Sequence, residues 1–424
     1  MEQRALDASG IIGQVEGPFE VSYNSRDLLA YALGIGCSSE QSSEFRFLYE
    51  GSPGFAAFPT YPLVLPYKGL SSDVVPFPGR TLFLIPRGFR DVVVDTGAIL
   101  HYDQSIEMFQ PLDPKGAELE AWSVVLGVYR KRGGVLLRTK TTLTDRKSGQ
   151  TLAETTQGTF MRGLEVVGDA GPPLPPRSIP PTRPPDAMVA VTVSAQQALL
   201  YRLSGDYNAI HADPEAARAA GLDRPILHGL CSLGIAARQV LRFFCPEDPP
   251  GLLSLYCRFS RTVAPGDVLE VSASVVHVNM WGDVVSCAGG AGSREDSVAH
   301  KVRFAGGTAA GGRAGARAGA GAAKRKKVKG RHQGFCGRAV ARRLEGEVGT
   351  GMSNDKQQHQ ERATLAAKAT ERTQHQVVRF DVRSPRQGGA VVVADGRAVV
   401  RRRFVGRGEG VVAGEGVLPN RARL

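Results

Sequence analysis

Apolar and polar positions along the chain define two stretches of similar order. In the first, Leu28, Leu29, Ala32 and Leu33 of RDLLAYALGIG recur at helical spacing, and Gly34 and Gly36 supply the stop. FRFLYEG (45–51) alternates as a strand does, and FAAFPTYPLVLPY is an apolar run broken by proline. Between Ile99 and Phe160, the stretches AWSVVLGVYRK, GVLLRTKTTLTD and TLAETTQGTFM are rich in β-branched residues and separated by Gly, Lys and Arg turns. A helix followed by antiparallel strands of this length predicts an α+β unit with its sheet curled round the helix.

Residues 171–188 are too rich in proline for helix or sheet and predict an extended, semi-rigid spacer between two similar domains. An alternating strand, MVAVTVS, follows, with Ser194 as N-cap of a helix over AQQALLYRL. Pro214 to Ala220 reads as a short helix ended by Gly221. ILHGLCSLGIAARQVLRFF carries Leu230, Leu233, Ile235, Ala236, Val240 and Leu241 around most of its circumference, the mark of a buried helix. LLSLYCRFSRTVAPGDVLEVSASVVHV supplies two more strands with a Pro-Gly turn between them.

The pattern then fails. From about 278 to 374 the sequence is low in large apolar residues, and GGTAAGGRAGARAGAGAAKRKKVKGRH lacks the apolar surface to offset ordering entropy. This segment predicts a disordered insertion. HQVVRFDVRSPRQGGAVVVADGRAVVRRRF reads again as strand, turn, strand, and 375–404 would complete the sheet begun before the insertion. Loop closure tolerates such a length because its entropy grows slowly. The expected organisation is an N-terminal domain over 14–170, the linker, a C-terminal domain over 189–277 completed by 375–404, and a tail over 405–424.

Charge alters the picture less than its total suggests. The net +12 is carried by Lys301 to Arg343, which holds thirteen Lys or Arg and no Asp or Glu, leaving the remaining residues near −1. KRKKVK within it reads either as a nuclear-import or nucleic-acid element or as a solvated run. The second reading is adopted, so nucleic acid is not an expected partner. No apolar run reaches the ~20 residues of a membrane span, and no signal peptide is legible. Six cysteines form no CxxC pair, which argues against a zinc site and a disulfide framework. Reduced thiols fit an intracellular compartment.

Candidate chemistry concentrates at 201–234, YRLSGDYNAIHADPEAARAAGLDRPILHGLCSLG. Asp206 and His211 lie five residues apart among turn-forming Gly205 and Asn208. A carboxylate and an imidazole held together can share a water and move its proton near neutral pH. Gly229 begins the buried helix, where a backbone N–H is an oxyanion donor and the missing side chain admits a carbonyl.

This string resembles the hydratase-2 motif of MaoC-like (R)-specific enoyl-CoA hydratases from Tyr201 through Asp206, Asn208, His211, Asp213 and Pro214 to Pro225, His228, Gly229 and Cys231. One departure is that the family's proline after Asn is Ala209, which frees one φ angle in the loop. YALGIG, the YEG segment and the line of His101, Gln104, Glu107, Pro111 and Leu112 are similar to the first half of eukaryotic members. The resemblance implies a double hot-dog fold, two antiparallel sheets each wrapped round a helix. It implies reversible hydration of trans-2-enoyl-CoA to (3R)-3-hydroxyacyl-CoA in fatty-acid β-oxidation, with no metal or cofactor beyond the CoA of the substrate.

In that family Asp206 and His211 would be the acid/base pair, Asn208 would orient them and Gly229 would bind the thioester oxygen. His101, Tyr102, Lys131, Tyr207, Arg258 and Phe259 would contact the substrate, the last two at the CoA entrance, and Glu50 would support the pocket. His228 is read as structural. The tripeptide Ala422-Arg423-Leu424 has the small-basic-Leu form of a peroxisomal address. A peroxisomal location, its import receptor and a homodimer complete the expectations. A non-catalytic acyl-CoA-binding protein is the alternative.

Overall fold

The computed structural model describes residues 6–75, 77, 99–177, 182–246, 248, 251–278, 284–285 and 373–403. Most of the expected insertion, its basic cluster and the C-terminal tripeptide lie outside them.

The first lobe runs from β1 (Leu6–Asp7) and β2 (Val15–Asn24) into α1 (Ser25–Gly34) and the short α2 (Leu65–Lys68). Four strands follow: β3 (Ile99–Met108), β4 (Gly116–Lys131), β5 (Gly134–Asp145) and β6 (Thr151–Arg162). Asn24 opens α1 with a reciprocal capping box, its side chain accepting from Asp27 N while the Asp27 carboxylate accepts from Asn24 N. Gly34 is the last helical residue, and Gly36, with φ at 78°, turns the chain out. FRFLYEG is not a strand: Phe45–Phe47 form a 3-10 turn that buries Phe47. The physical reason lies in Glu44, whose carboxylate is buried against Arg238 at 3.2 Å and accepts from Ser38 N at 2.9 Å. That tertiary ion pair curls the segment against the core.

After β7 (Val166–Val167), which pairs β1 in parallel, the chain passes through the proline-rich segment to β8 (Ala187–Thr192). The second lobe then builds α3 (Gln197–Tyr201), α4 (Pro214–Ala219) and α5 (Gly229–Phe244). Its strands are β9 (Leu252–Phe259), β10 (Val268–Val278), β11 (Val284–Val285), β12 (Thr373–Ser384) and β13 (Ala390–Arg403). Ser194 starts its turn by accepting from Gln196 N, but α3 begins later than the sequence suggested. Strands β9 and β10, adjacent in sequence, are not partners: β9 pairs β13 and β3, while β10 pairs β12 and β8.

Among the described residues, both lobes share one antiparallel sheet of eleven strands, fused where β3 pairs β9. The two expected sheets therefore form a double hot dog with a common seam. α1 and α5 lie in one continuous core with Tyr31, Tyr61, Tyr201, Phe47 and Phe58 fully buried. Glycine permits the helices' close approach, since a Cβ at Gly234 would stand 2.4 Å from Ile35 Cγ2. No helix among the described residues is long and apolar enough to cross a membrane. Cys37, Cys231, Cys245 and Cys257 are free, buried thiols.

Candidate active site

A cavity of about 390 Å³ opens beside the N-terminus of α5, with walls from both lobes. Asp206 reaches it from a loop following the 3-10 turn Arg202–Ser204. Gly205 bends that loop with φ at 128°, and a Cβ there would meet Lys68 N at 2.6 Å. Only glycine lets α2 of the first lobe press on the loop this closely.

Asn208 continues the loop by accepting from Ile210 N at 3.3 Å and donating its own N–H to Asp206 Oδ1 at 3.2 Å. Asn208 takes φ −56° and ψ 123°, out of the helical region and with the ψ that a following proline would favour. The turn thus keeps that geometry with Ala209 in place of proline, held by hydrogen bonds from Ala212 N and Asp213 N to Ala209 O.

His211 ends the 3-10 turn Ala209–His211 and is buried. Its Nδ1 lies 2.8 Å from the Ile226 carbonyl, which only accepts, so Nδ1 carries the proton and Nε2 is left with a lone pair. Burial pushes the His211 pKa below its ordinary 6.5, against the opposing pull of the Asp206 carboxylate and the Ile226 hydrogen bond. The His228 ring stacks on it at 3.6 Å between centroids and 26° between planes. His228 is held well below the ordinary imidazole range, first by burial and then by His211 beside it.

Gly229, the first residue of α5, lines the cavity with a helix N-terminal N–H that has no intrahelical acceptor. A Cβ at this position would press to 3.3 Å of the Phe259 ring. His101 faces the same cavity from β3, its Nε2 2.9 Å from Gln104 Oε1 and its ring edge-on to Phe259 at 4.8 Å. Burial lowers the His101 pKa to about 4, leaving the ring neutral.

Of the residues singled out in the sequence, Asp206, Asn208, His211, Gly229, His101 and Phe259 meet in this cavity. The others do not line it. Glu50 is exposed in a surface turn, and Lys131 is exposed at the end of β4. Tyr102 is the extra residue of a bulge, since His101 pairs Thr159 and Asp103 pairs Gly158. Tyr207 lies under the Arg202 guanidinium, 4.7 Å from its ring centroid. Arg258 points to the opposite sheet face from Phe259 and binds Asp395 at 2.8 Å.

Sequence reasoning missed Tyr67, Gln157, Thr159, Arg162 and Arg261 in the lining. Tyr67 donates to Gln157 Oε1 at 3.1 Å, and Gln157 Nε2 donates to Thr159 Oγ1 at 3.1 Å. These come from distant segments, and no local spacing announces them.

The donor atoms of Asp206, His211 and His228 lie within 4.8 Å of one another, a separation short enough for a cation. Two of the three are imidazoles stacked face to face, with centroids 3.6 Å apart and planes 26° from parallel.

Residues 21–163 match the MFE-2 hydratase 2 N-terminal domain, and residues 178–296 match the MaoC like domain. A probable enoyl-CoA hydratase 2 of Dictyostelium discoideum is 34% identical over 268 residues, 62% of this chain and 86% of that protein. The chain belongs to the enoyl-CoA hydratase 2 family. Within that family's wider relatives, the peroxisomal multifunctional enzyme type 2 of Drosophila melanogaster is 39% identical over 260 residues, and the match spans 42% of that longer protein. The crystal structure of a MaoC-like dehydratase from Phytophthora capsici superposes with a TM-score of 0.63 at 30% identity, covering 93% of this chain and 98% of that one.

Proposed function

We propose that the chain is an (R)-specific enoyl-CoA hydratase, a hydro-lyase that reversibly adds water to trans-2-enoyl-CoA to give (3R)-3-hydroxyacyl-CoA. The observation that carries the reading is the meeting, in one cavity, of Asp206, a His211 ring with Nε2 unprotonated, and Gly229 at the N-terminus of α5. The Gly229 N–H donates to the thioester oxygen as it gains negative charge, aided by the helix dipole, and so makes C3 electrophilic. Asp206 orients the water. His211 Nε2 takes one proton as the water oxygen bonds to C3, and the same proton passes to C2 as the enolate collapses.

Apolar Ile210, Leu222, Ile226, Val263 and Val392 offer the acyl chain a path, while exposed Arg162 and Arg261 at the cavity suit the phosphates of CoA. The site residues need no metal or other cofactor for this sequence. We also propose a homodimer and a peroxisomal location reached through the import receptor. The relative named as peroxisomal supports the location.

The test is turnover of a trans-2-enoyl-CoA, followed by loss of enoyl absorbance, with the product's C3 configuration determined. Asp206→Asn and His211→Ala should each lose about 10²–10⁴-fold in kcat. Binding of acyl-CoA without turnover by the intact protein would replace this reading with a binding module. Co-localisation of a fluorescent fusion with a peroxisomal marker, abolished by removing residues 422–424, tests the location.

A further inference from the structure

Resting on the hydratase reading, we infer that His228 is a positioning residue: it fixes the His211 ring and the Asp206 main chain relative to the Gly229 N–H. Two contacts and its place in the chain converge on it. Its Nε2 lies 3.1 Å from the Asp206 main-chain oxygen, which can only accept, so Nε2–H donates to the backbone carrying the carboxylate. Its ring stacks on that of His211. Its own backbone precedes Gly229, at the N-cap of α5. A histidine at a helix start commonly serves as a cap, but here the side chain makes no capping hydrogen bond and turns toward the loop instead.

The arrangement requires a neutral ring. His228 Nδ1 is buried and has no hydrogen-bond partner, so a proton there would have no acceptor. The groups facing the ring are the His211 imidazole, the Arg202 guanidinium, the Asp206 main-chain carbonyl and the Tyr201 ring at 4.9 Å. Two of these oppose a positive charge on His228. A neutral, flat ring also covers one face of His211, excluding water there and favouring the unprotonated base the reaction needs. One side chain thereby couples the base, the carboxylate loop and the oxyanion donor.

The experiment separates the N–H from the stacking surface. His228→Phe keeps a flat ring and removes the donor. His228→Asn keeps an amide donor and removes the ring. For each, kcat and KM for a short trans-2-enoyl-CoA are measured against pH, and the His211 ring is titrated by NMR in the substrate-free protein. Melting curves establish that each variant is folded.

The Phe variant should lose roughly 10- to 100-fold in kcat with KM within about threefold, as the carboxylate loop drifts. The Asn variant should raise the His211 titration by about one unit, carrying the acid limb of kcat with it. Folded variants that both keep kcat within about twofold of the parent, with the His211 titration unmoved, overturn the proposal. If the parent protein itself shows no turnover, the hydratase reading fails, while the NMR titration still decides whether His228 controls His211.

Discussion

At the residue scale, the mechanism we propose depends on keeping one imidazole uncharged. His211 must be neutral to accept a proton, and burial lowers its pKa below 6.5. The acid limb of kcat/KM should therefore lie below pH 6.5, so that activity persists under mild acid, and a pH–rate profile checks this. His101 has a related consequence for stability. Its folded pKa of about 4 lies below the ordinary 6.5 of an unfolded histidine, so the unfolded state takes a proton first. The contribution is complete above pH 6.5 and is lost as pH falls toward 4; His211 and His228 act in the same direction. The melting temperature should fall across that interval, and His101→Phe should flatten part of the fall.

At the scale of elements, close approach decides geometry. Gly205 lets α2 press on the Asp206 loop, and its φ of 128° is unfavourable to any residue with a Cβ. Gly205→Ala should cost about 1–3 kcal/mol of local strain and lower kcat, measurable by denaturant titration and kinetics on the same preparation. Gly234 plays the corresponding part where α5 meets Ile35 beyond α1, and Gly234→Leu should destabilise the core by about 1–3 kcal/mol without touching the cavity.

The helices and most strands were legible because their spacing is local. The FRFLYEG segment was not, since its alternation suits a strand while a buried Glu44–Arg238 pair 194 positions apart in numbering curls it instead.

At the scale of the whole molecule, the seam between β3 and β9 joins the lobes. Arg258 is held there beside Asp395, and the Asp103 carboxylate feels its charge. Replacing Arg258 by Met should destabilise the fold by removing the cation that Asp395 binds at 2.8 Å, yet leave KM for the CoA thioester nearly unchanged. A large rise in KM with little loss of stability would instead return Arg258 to the CoA entrance. Because β12 pairs directly with β10, replacing residues 286–370 by a short Gly-Ser linker should preserve turnover, and kinetics on that variant would show whether the segment is dispensable.

The sequence by itself marked Asp206 and His211 as a candidate acid/base pair, and it determined the helix that presents Gly229 and the return of strands near 375. Each is written in neighbouring residues whose types and spacing carry the chemistry. Only the tertiary structure decided which partners complete the site. It brought Tyr67, Gln157 and Thr159 to the wall and turned Arg258, Tyr207 and Lys131 away. It also laid His228 on His211. Those outcomes depend on strand alternation, one bulge and the packing of segments far apart in the chain, which no local pattern encodes.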